Sequence, residues 1–414
     1  MFFAGCGNKE ERDIVTLKFW HAWGGHEGKA LESLVDEFNA THPHIRVKPS
    51  FFTIGDKILA AIAGGVPPDV ATVWDYMLVN MGESGCFLPL EQRMIDAGYT
   101  RDAYLHGIWE YGVYGEHHWG VPTTLNCLAI YYNKEIVSEA GLDPDNPPST
   151  IEELEAWAEK LTVIAPDGTI KRMGFDPGNQ LVWFWNFGGG AYDEETRTLT
   201  LDNPANVKAL KWMSGLFALI GVDNWRRFQS GFGAYLSPQN PFFNNKIAMR
   251  GDGQWLIMFI KQFAPNLKFG VFPFPNAVTG GPGYTYVSGS FWVIPVGTKH
   301  PDEAWEFLSW LIAPAQSARF AAALYNIPPL KATLERPDMK SIKDEEFWFF
   351  VDQLRRGRAR AYPPLPITNL MVQKLGQTSE MVYGDKLTAE DALATLQKDM
   401  ERELERSLKF IGVE

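Results

Sequence analysis

The chain has 414 residues, 45% hydrophobic and 21% charged, with 15 Trp, 14 Tyr, 27 Phe and a formal net charge of -12. That length exceeds what one hydrophobic core usually supports and favours two or three domains. The charge argues against nucleic acid, because a phosphate backbone is bound through a basic surface, and no run of about 18 apolar residues is present to span a bilayer.

At the N-terminus, Met1-Phe-Phe-Ala-Gly-Cys6 resembles the end of a bacterial lipoprotein signal, although Phe3 stands where that motif usually has Leu. Cys6 is then the expected lipid-bearing residue, with 1–13 as a tether. Cys86 and Cys127 are expected to stay free thiols, since nothing in the sequence brings them within bridging distance.

Ile14 to Trp20 alternates apolar and polar residues as a half-buried strand does, and stops at the aromatic loop Trp20-His21-Ala22-Trp23-Gly24-Gly25. Leu31, Leu34, Val35 and Phe38 then recur at helical spacing. Ile45 to Phe52 predicts a second strand, Asp56 to Ala63 a short helix and Val70 to Trp74 a third strand. This β-α-β-α-β order is that of a mainly parallel sheet flanked by helices, an α/β fold. Ligands of such sheets sit beyond the C-terminal strand ends, and two of those ends carry Trp20-His21-Ala22-Trp23 and Trp74-Asp75-Tyr76. An aromatic face beside a carboxylate suits a sugar ring, whose C–H groups stack while its hydroxyls bond the acid.

From Trp119 to Leu142 the pattern changes. Trp119 to Pro122 and Leu128 to Tyr132 predict two short strands, with a polar bridge of Thr123, Thr124 and Asn126 between them as a hinge or site. Asn133 caps a short helix that Gly141 ends, and Thr150 with Glu153 forms a capping box for the next. Met173 to Asn186 holds Trp183, Phe184 and Trp185, another aromatic candidate. Ile247 to Trp255 reads as strand, glycine turn and helix start, and places Asp252 and Trp255 at a further strand end. Tyr286 to Pro295 is a strand with the polar centre Ser288 to Ser290, and the chain is mostly helical beyond Ile327-Pro-Pro. Arg355, Arg356, Arg358 and Arg360 read as a solvated helix face.

No GxSxG, HExxH, GxxxxGK, complete GxGxxG or CxxC motif occurs, and Gly251-Asp-Gly-Gln-Trp lacks the third glycine of a dinucleotide loop. Glu116-His117-His118 does not make a metal site, because neighbours on a strand point to opposite faces. Neither catalysis nor a cofactor or metal is expected. Fifty carboxylates still leave a glycoside hydrolase as the alternative of another class.

With these motifs assembled, the chain resembles the extracellular solute-binding proteins of bacterial ABC importers, in the maltose-binding-protein-like family 1 group that captures sugars. The most specific likeness is Ala129-Ile-Tyr-Tyr132-Asn133 with Ile136, although Thr123 departs from an expected apolar position. FNATHPHIRV (38–47), GGVPPDVATVWD (64–75), AGLDPDNPPSTIEELEAWAEKL (140–161), GDGQW (251–255) and VYGDKLTAEDALATLQKDMEREL (382–404) follow in the family's order.

The resemblance implies a two-lobe periplasmic-binding-protein fold of the type II kind, with the ligand between lobes that close about hinges. The lobes would be 14–122 plus about 286–328, and about 126–280 plus about 331–414, with hinges near 123–126, 281–290 and 327–330. By position, Trp74 and Asp75 would line the first lobe, Trp255 the second and Asn126 the crossing. Trp20, His21, Trp23, Trp183, Trp185, Asp252, Ser288 and Ser290 are further cleft candidates. The implied function is non-catalytic capture of a carbohydrate, an oligosaccharide given the many rings, by an extracytoplasmic monomer that delivers it to an ABC permease and meets the membrane only through a lipid anchor. A polyol or glycerol phosphoester is the alternative ligand, and would need a cationic or backbone-amide pocket.

Overall fold

The computed structural model describes residues 14–52, 56–105, 107–114, 117–232, 235 and 237–411. Cys6, the tether and Glu116 lie outside them. In the first lobe, Val15–His21 pairs in parallel with Ile45–Phe51 on one side and Val70–Trp74 on the other. Leu17 and Phe19 point into the core, and Leu31, Leu34, Val35 and Phe38 of the helix Gly25–Thr41 close over them, as their spacing predicts.

Two long strands join the lobes. Val121–Asn133 runs antiparallel to Thr285–Val293 over its first half, with Asn126 opposite Ser288 and Thr124 opposite Ser290. Its second half pairs instead with Ile247–Gly253 on one edge and Phe269–Phe272 on the other. One strand thus serves both lobes, and the sheet runs through ten strands. Gly289 permits the close approach of the crossing strands, since a Cβ there would lie 2.7 Å from the Thr124 carbonyl oxygen.

The expected pair of short strands is therefore a single strand of 13 residues, with Thr123, Thr124 and Asn126 inside it. Polar residues are tolerated there because neighbours complete their hydrogen bonds: Thr123 and Ser290 hydroxyls lie 2.5 Å apart, and Asn326 Nδ2 donates to Thr124 Oγ1 at 3.2 Å. The arginine cluster also differs from expectation. Only Arg355 lies within the helix Glu345–Arg355, and Arg360 belongs to a short strand, with its guanidinium 3.8 Å from the centre of the Tyr284 ring. Cys86 and Cys127 are both buried free thiols.

His21 is only 1% exposed. Burial pushes its pKa down against the opposing pull of Glu32, and burial lowers that of His118 as well. A histidine depressed in the folded state holds stability that is present above its unfolded value near 6.5 and lost as pH falls through the folded one. The urea midpoint is accordingly expected to fall between pH 7.5 and 5, and to fall less in His21→Phe; an equal drop in the variant would show that His21 does not contribute.

Candidate functional site

The site is built from the ends of strands. Trp74 closes the strand Val70–Trp74, lies opposite Ser290 in register and immediately precedes the helix Asp75–Glu83. Asp75 therefore stands where the first-lobe sheet meets the crossing strands. Tyr111 donates its hydroxyl to Asp75 Oδ2, and Tyr286 donates to the same oxygen at 2.9 Å. Burial is the largest influence on this carboxyl and pushes its pKa up to about 6, while the two tyrosine hydroxyls pull the other way.

Around Tyr286 further rings close in. Tyr286 faces Tyr362, with centroids 4.4 Å apart and planes at 37°, and lies 6.4 Å from Trp185. Asn179 Nδ2 fixes the Tyr362 hydroxyl at 2.6 Å. Asn80, one turn further along the Asp75 helix, donates from Nδ2 to the Pro366 carbonyl at 2.6 Å, so the first lobe is in contact with the 358–366 segment. Glu27 stands at the corresponding place after the neighbouring parallel strand, in the first turn of Gly25–Thr41. Burial raises its pKa to about 7, and no hydrogen-bond donor reaches it among the described residues.

A second cluster organises the crossing. Gln254 is fully buried; its Oε1 accepts from the Cys127 amide at 2.9 Å, and its Nε2 donates to Asn326 Oδ1 at 2.9 Å, Asn126 Oδ1 at 3.1 Å and the Leu125 carbonyl at 3.2 Å. Leu125 and Ile327 exchange backbone hydrogen bonds of 2.7 and 3.1 Å. One side chain thus ties the second-lobe turn to two crossing segments, and holds Asn126 by its oxygen.

The third cluster involves Trp255. Its Nε1 donates to the Tyr235 hydroxyl at 2.9 Å, and that hydroxyl donates to Asp252 Oδ1 at 2.5 Å. Arg250 Nε and Asp252 Oδ2 are 2.9 Å apart, a charge contact without the alignment of a hydrogen bond. Gly253 accommodates the folded-back indole, since a Cβ there would lie 1.8 Å from the Trp255 ring. The GDGQW turn is thus a seat for Trp255.

The sequence candidates separate accordingly. Trp74, Asp75, Asn126, Trp255 and Ser288 are partly exposed around the crossing strands, and Trp185 packs against Tyr286. Trp20 is half-buried against Phe52, at a centroid distance of 4.3 Å. Trp23 packs on Trp292 and Phe320, and Trp183 is fully buried against Phe175 and Phe274 with its Nε1 donating to Pro177 O at 2.8 Å, so both are core rather than cleft. His21 is likewise internal, while Ser290 and Asp252 are committed to the internal bonds described above. The sequence reading missed Glu27, Tyr111, Tyr235, Tyr286 and Tyr362, and set Gln254 at a strand end with Asp252 and Trp255 without making it a ligand candidate. Only Gln254 and Tyr286, which adjoin Trp255 and the Ser288 to Ser290 centre, had a nearby signal.

Carboxylates and aromatic rings gathered where two α/β lobes share their crossing strands define a two-lobe binding protein of the periplasmic type. The chain belongs to the bacterial extracellular solute-binding protein family, which it matches over residues 22–318. It is 25% identical over 366 residues to a maltotriose-binding protein of Pyrococcus abyssi, covering 82% of this chain and 70% of that one. It is 26% identical over 341 residues to the sn-glycerol-3-phosphate-binding periplasmic protein UgpB of Salmonella typhimurium, covering 78% and 76%. Among solved structures, CpMnBP1 with mannotriose bound superimposes with a TM-score of 0.84 at 30% identity, covering 93% of this chain and 99% of that one. Family membership carries an extracytoplasmic location, and among the described residues no helix is long and apolar enough to cross a membrane.

Proposed function

We propose that this protein captures a neutral carbohydrate between its lobes, without catalysis, and presents it to an ABC permease. The observation that carries the reading is Asp75, a carboxylate held by Tyr111 and Tyr286 at a strand end, with the rings of Tyr362 and Trp185 set against Tyr286. Ring faces take the C–H side of a sugar, and the carboxylate accepts its hydroxyls. Mannotriose in one similar structure and the maltotriose of one relative's name support the class.

The glycerol phosphoester alternative has a relative in its favour, but the charges at the site oppose it. The Asp75 carboxylate would repel a phosphate, Arg250 is matched by Asp252, and Arg360 lies on the Tyr284 ring. Within the same reading we assign the lobes as 14–122 plus about 286–328 and about 126–280 plus about 331–414. The protein acts as a monomer tethered through a lipid on Cys6. Differential affinity of the ligand for the closed arrangement would drive the lobes together for the permease to sense.

Trp74→Ala and Trp255→Ala are each expected to weaken carbohydrate binding at least tenfold without loss of folding, a loss of about 1.4 kcal/mol or more. Calorimetry against manno- and malto-oligosaccharides checks this, and normal binding by both variants would remove the two rings from the site. Product formation in the same mixtures would instead establish a glycoside hydrolase.

A further inference from the structure

In the first lobe the parallel strands Val15–His21, Ile45–Phe51 and Val70–Trp74 start at one pole and end toward the other, where Trp74 and Asp75 stand. Thr285–Val293 runs antiparallel to Val70–Trp74, so the loop after it, 295–300, arrives at the starting pole. There it meets the loop 64–69. Thr298 Oγ1 donates to Asp69 Oδ1 at 2.6 Å, and a Cβ on Gly297 would lie 3.5 Å from Pro67. Asp69 Oδ2 accepts from the Lys18 amide at 2.8 Å, which ties both loops to the first strand. Ile14, just before that strand, lies at the same pole, and eight positions separate it from Cys6.

This pole combines positive charge with exposed aliphatic side chains. Lys18 lies directly opposite Lys48 across the paired strands and Arg46 opposite Thr16, and all four residues are exposed. The side chains of Lys18, Arg46, Lys48 and the exposed Lys299 meet no carboxylate among the described residues. Like charges that face each other across paired strands destabilise a sheet, and here no acid offsets the cost. Of the acids in the following helix Pro301–Ile312, Asp302 is taken by Arg93 at 2.6 Å and Glu306 by His44 at 3.0 Å, while Glu303 offsets one of the four cations. Ile14 and Val66 are each 63% exposed and Val296 37%, large values for aliphatic side chains. Protection of a sheet edge accounts for Lys48 and Pro49 on the outermost strand. It does not account for Lys18 on the strand inside it, nor for the three aliphatics.

We propose that this pole of the first lobe rests on an anionic lipid surface, with Lys18, Arg46, Lys48 and Lys299 against headgroup phosphates and Ile14, Val66 and Val296 in the interfacial layer. This inference rests on the reading of Cys6 as a lipid anchor and adds to it an orientation. A chain of eight residues reaches at most about 28 Å, so an anchored Cys6 keeps the pole within reach of the bilayer. Attraction to an anionic surface fades within about 8 to 10 Å in physiological salt, and the anchor supplies the proximity that four cations alone would lack. Aliphatic side chains among cations are the composition of an interfacial contact. With the pole on the lipid, Trp74 and Asp75 stand at the far strand ends, about 17 Å further out, and the cleft stays open to solutes.

The test is co-sedimentation of the full chain, without acylation, with vesicles of phosphatidylcholine alone or with about one-third phosphatidylglycerol. Binding is expected only to the anionic vesicles and is expected to weaken as salt rises. Each cation near such a surface strengthens association roughly fivefold, so Lys18→Gln/Arg46→Gln/Lys48→Gln should bind about a hundredfold more weakly. Val66→Ser/Val296→Ser should also weaken it, with carbohydrate affinity and thermal unfolding unchanged in both variants. Equal binding to both vesicles, no binding to either, undiminished binding by both variants, or displacement by inorganic phosphate at constant ionic strength would each overturn the contact. Mass spectrometry of Cys6 from membrane extracts tests the anchor by itself. An unmodified cysteine would overturn that reading and the orientation with it, whereas loss of vesicle binding overturns the contact alone.

Discussion

Asp75→Asn is expected to weaken carbohydrate binding ten- to a hundredfold while making the folded protein more stable above pH 6. Hydrogen bonds to a charged acceptor contribute about 1.5 to 3 kcal/mol each, and one such loss accounts for the affinity change. The stability change has the opposite sign. The Asp75 carboxyl titrates at about 6 when folded and has an ordinary value of 3.8, so the folded state holds its proton more tightly. Its contribution is fully present below 3.8 and lost as pH rises through about 6. A neutral amide avoids that loss, which is at most about 3 kcal/mol. The amide also leaves an acceptor oxygen for Tyr286 or Tyr111. Urea unfolding at pH 4 and 8, with calorimetry at pH 8, would decide the matter. Unchanged stability at pH 8 together with unchanged affinity would show that Asp75 neither carries the buried charge nor meets the ligand.

Gln254→Leu is expected to cost about 3 kcal/mol of stability and to loosen the lobe crossing. Leucine conserves most of the volume, but it leaves the Cys127 amide and the Asn126 and Asn326 side-chain oxygens without this partner. An unsatisfied buried donor costs about 1 to 3 kcal/mol, so the loss comes from the stranded partners more than from the glutamine itself. Because Asn126 is held through the same amide, ligand affinity should fall too. A urea midpoint close to that of the unmodified protein would mean that the crossing is held by its backbone pairing alone.

Trp74-Asp75 could be placed at the C-terminal end of a strand from the sequence because a parallel β-α-β order puts successive strand ends on one edge. Trp255 was accessible for the same reason, through the strand and glycine turn before it. The mistaken candidates share a cause. Trp23 and Trp183 lie beside genuine strand and helix ends, yet an aromatic residue near a loop can turn inward, and Trp292 and Phe274 give these two rings a core to join. Burial of one ring is decided by others far along the chain. The split into two short strands was mistaken because Thr123 and Thr124 break a hydrophobic pattern locally, while Ser290 and Asn326 complete their hydrogen bonds from a distance.

The sequence by itself determined the alternation of strands and helices, the family resemblance and the presence of Trp74 and Asp75 at one strand end. These depend on periodicity, capping and motif order, which act over a few residues. The tertiary structure decided that Tyr111 and Tyr286, 36 and 211 positions from Asp75, donate to its carboxylate, and that Gln254 ties together segments from Leu125 to Asn326. A buried polar group takes whichever partner the packed lobes bring within hydrogen-bond reach, and no local pattern records where on the chain that partner lies.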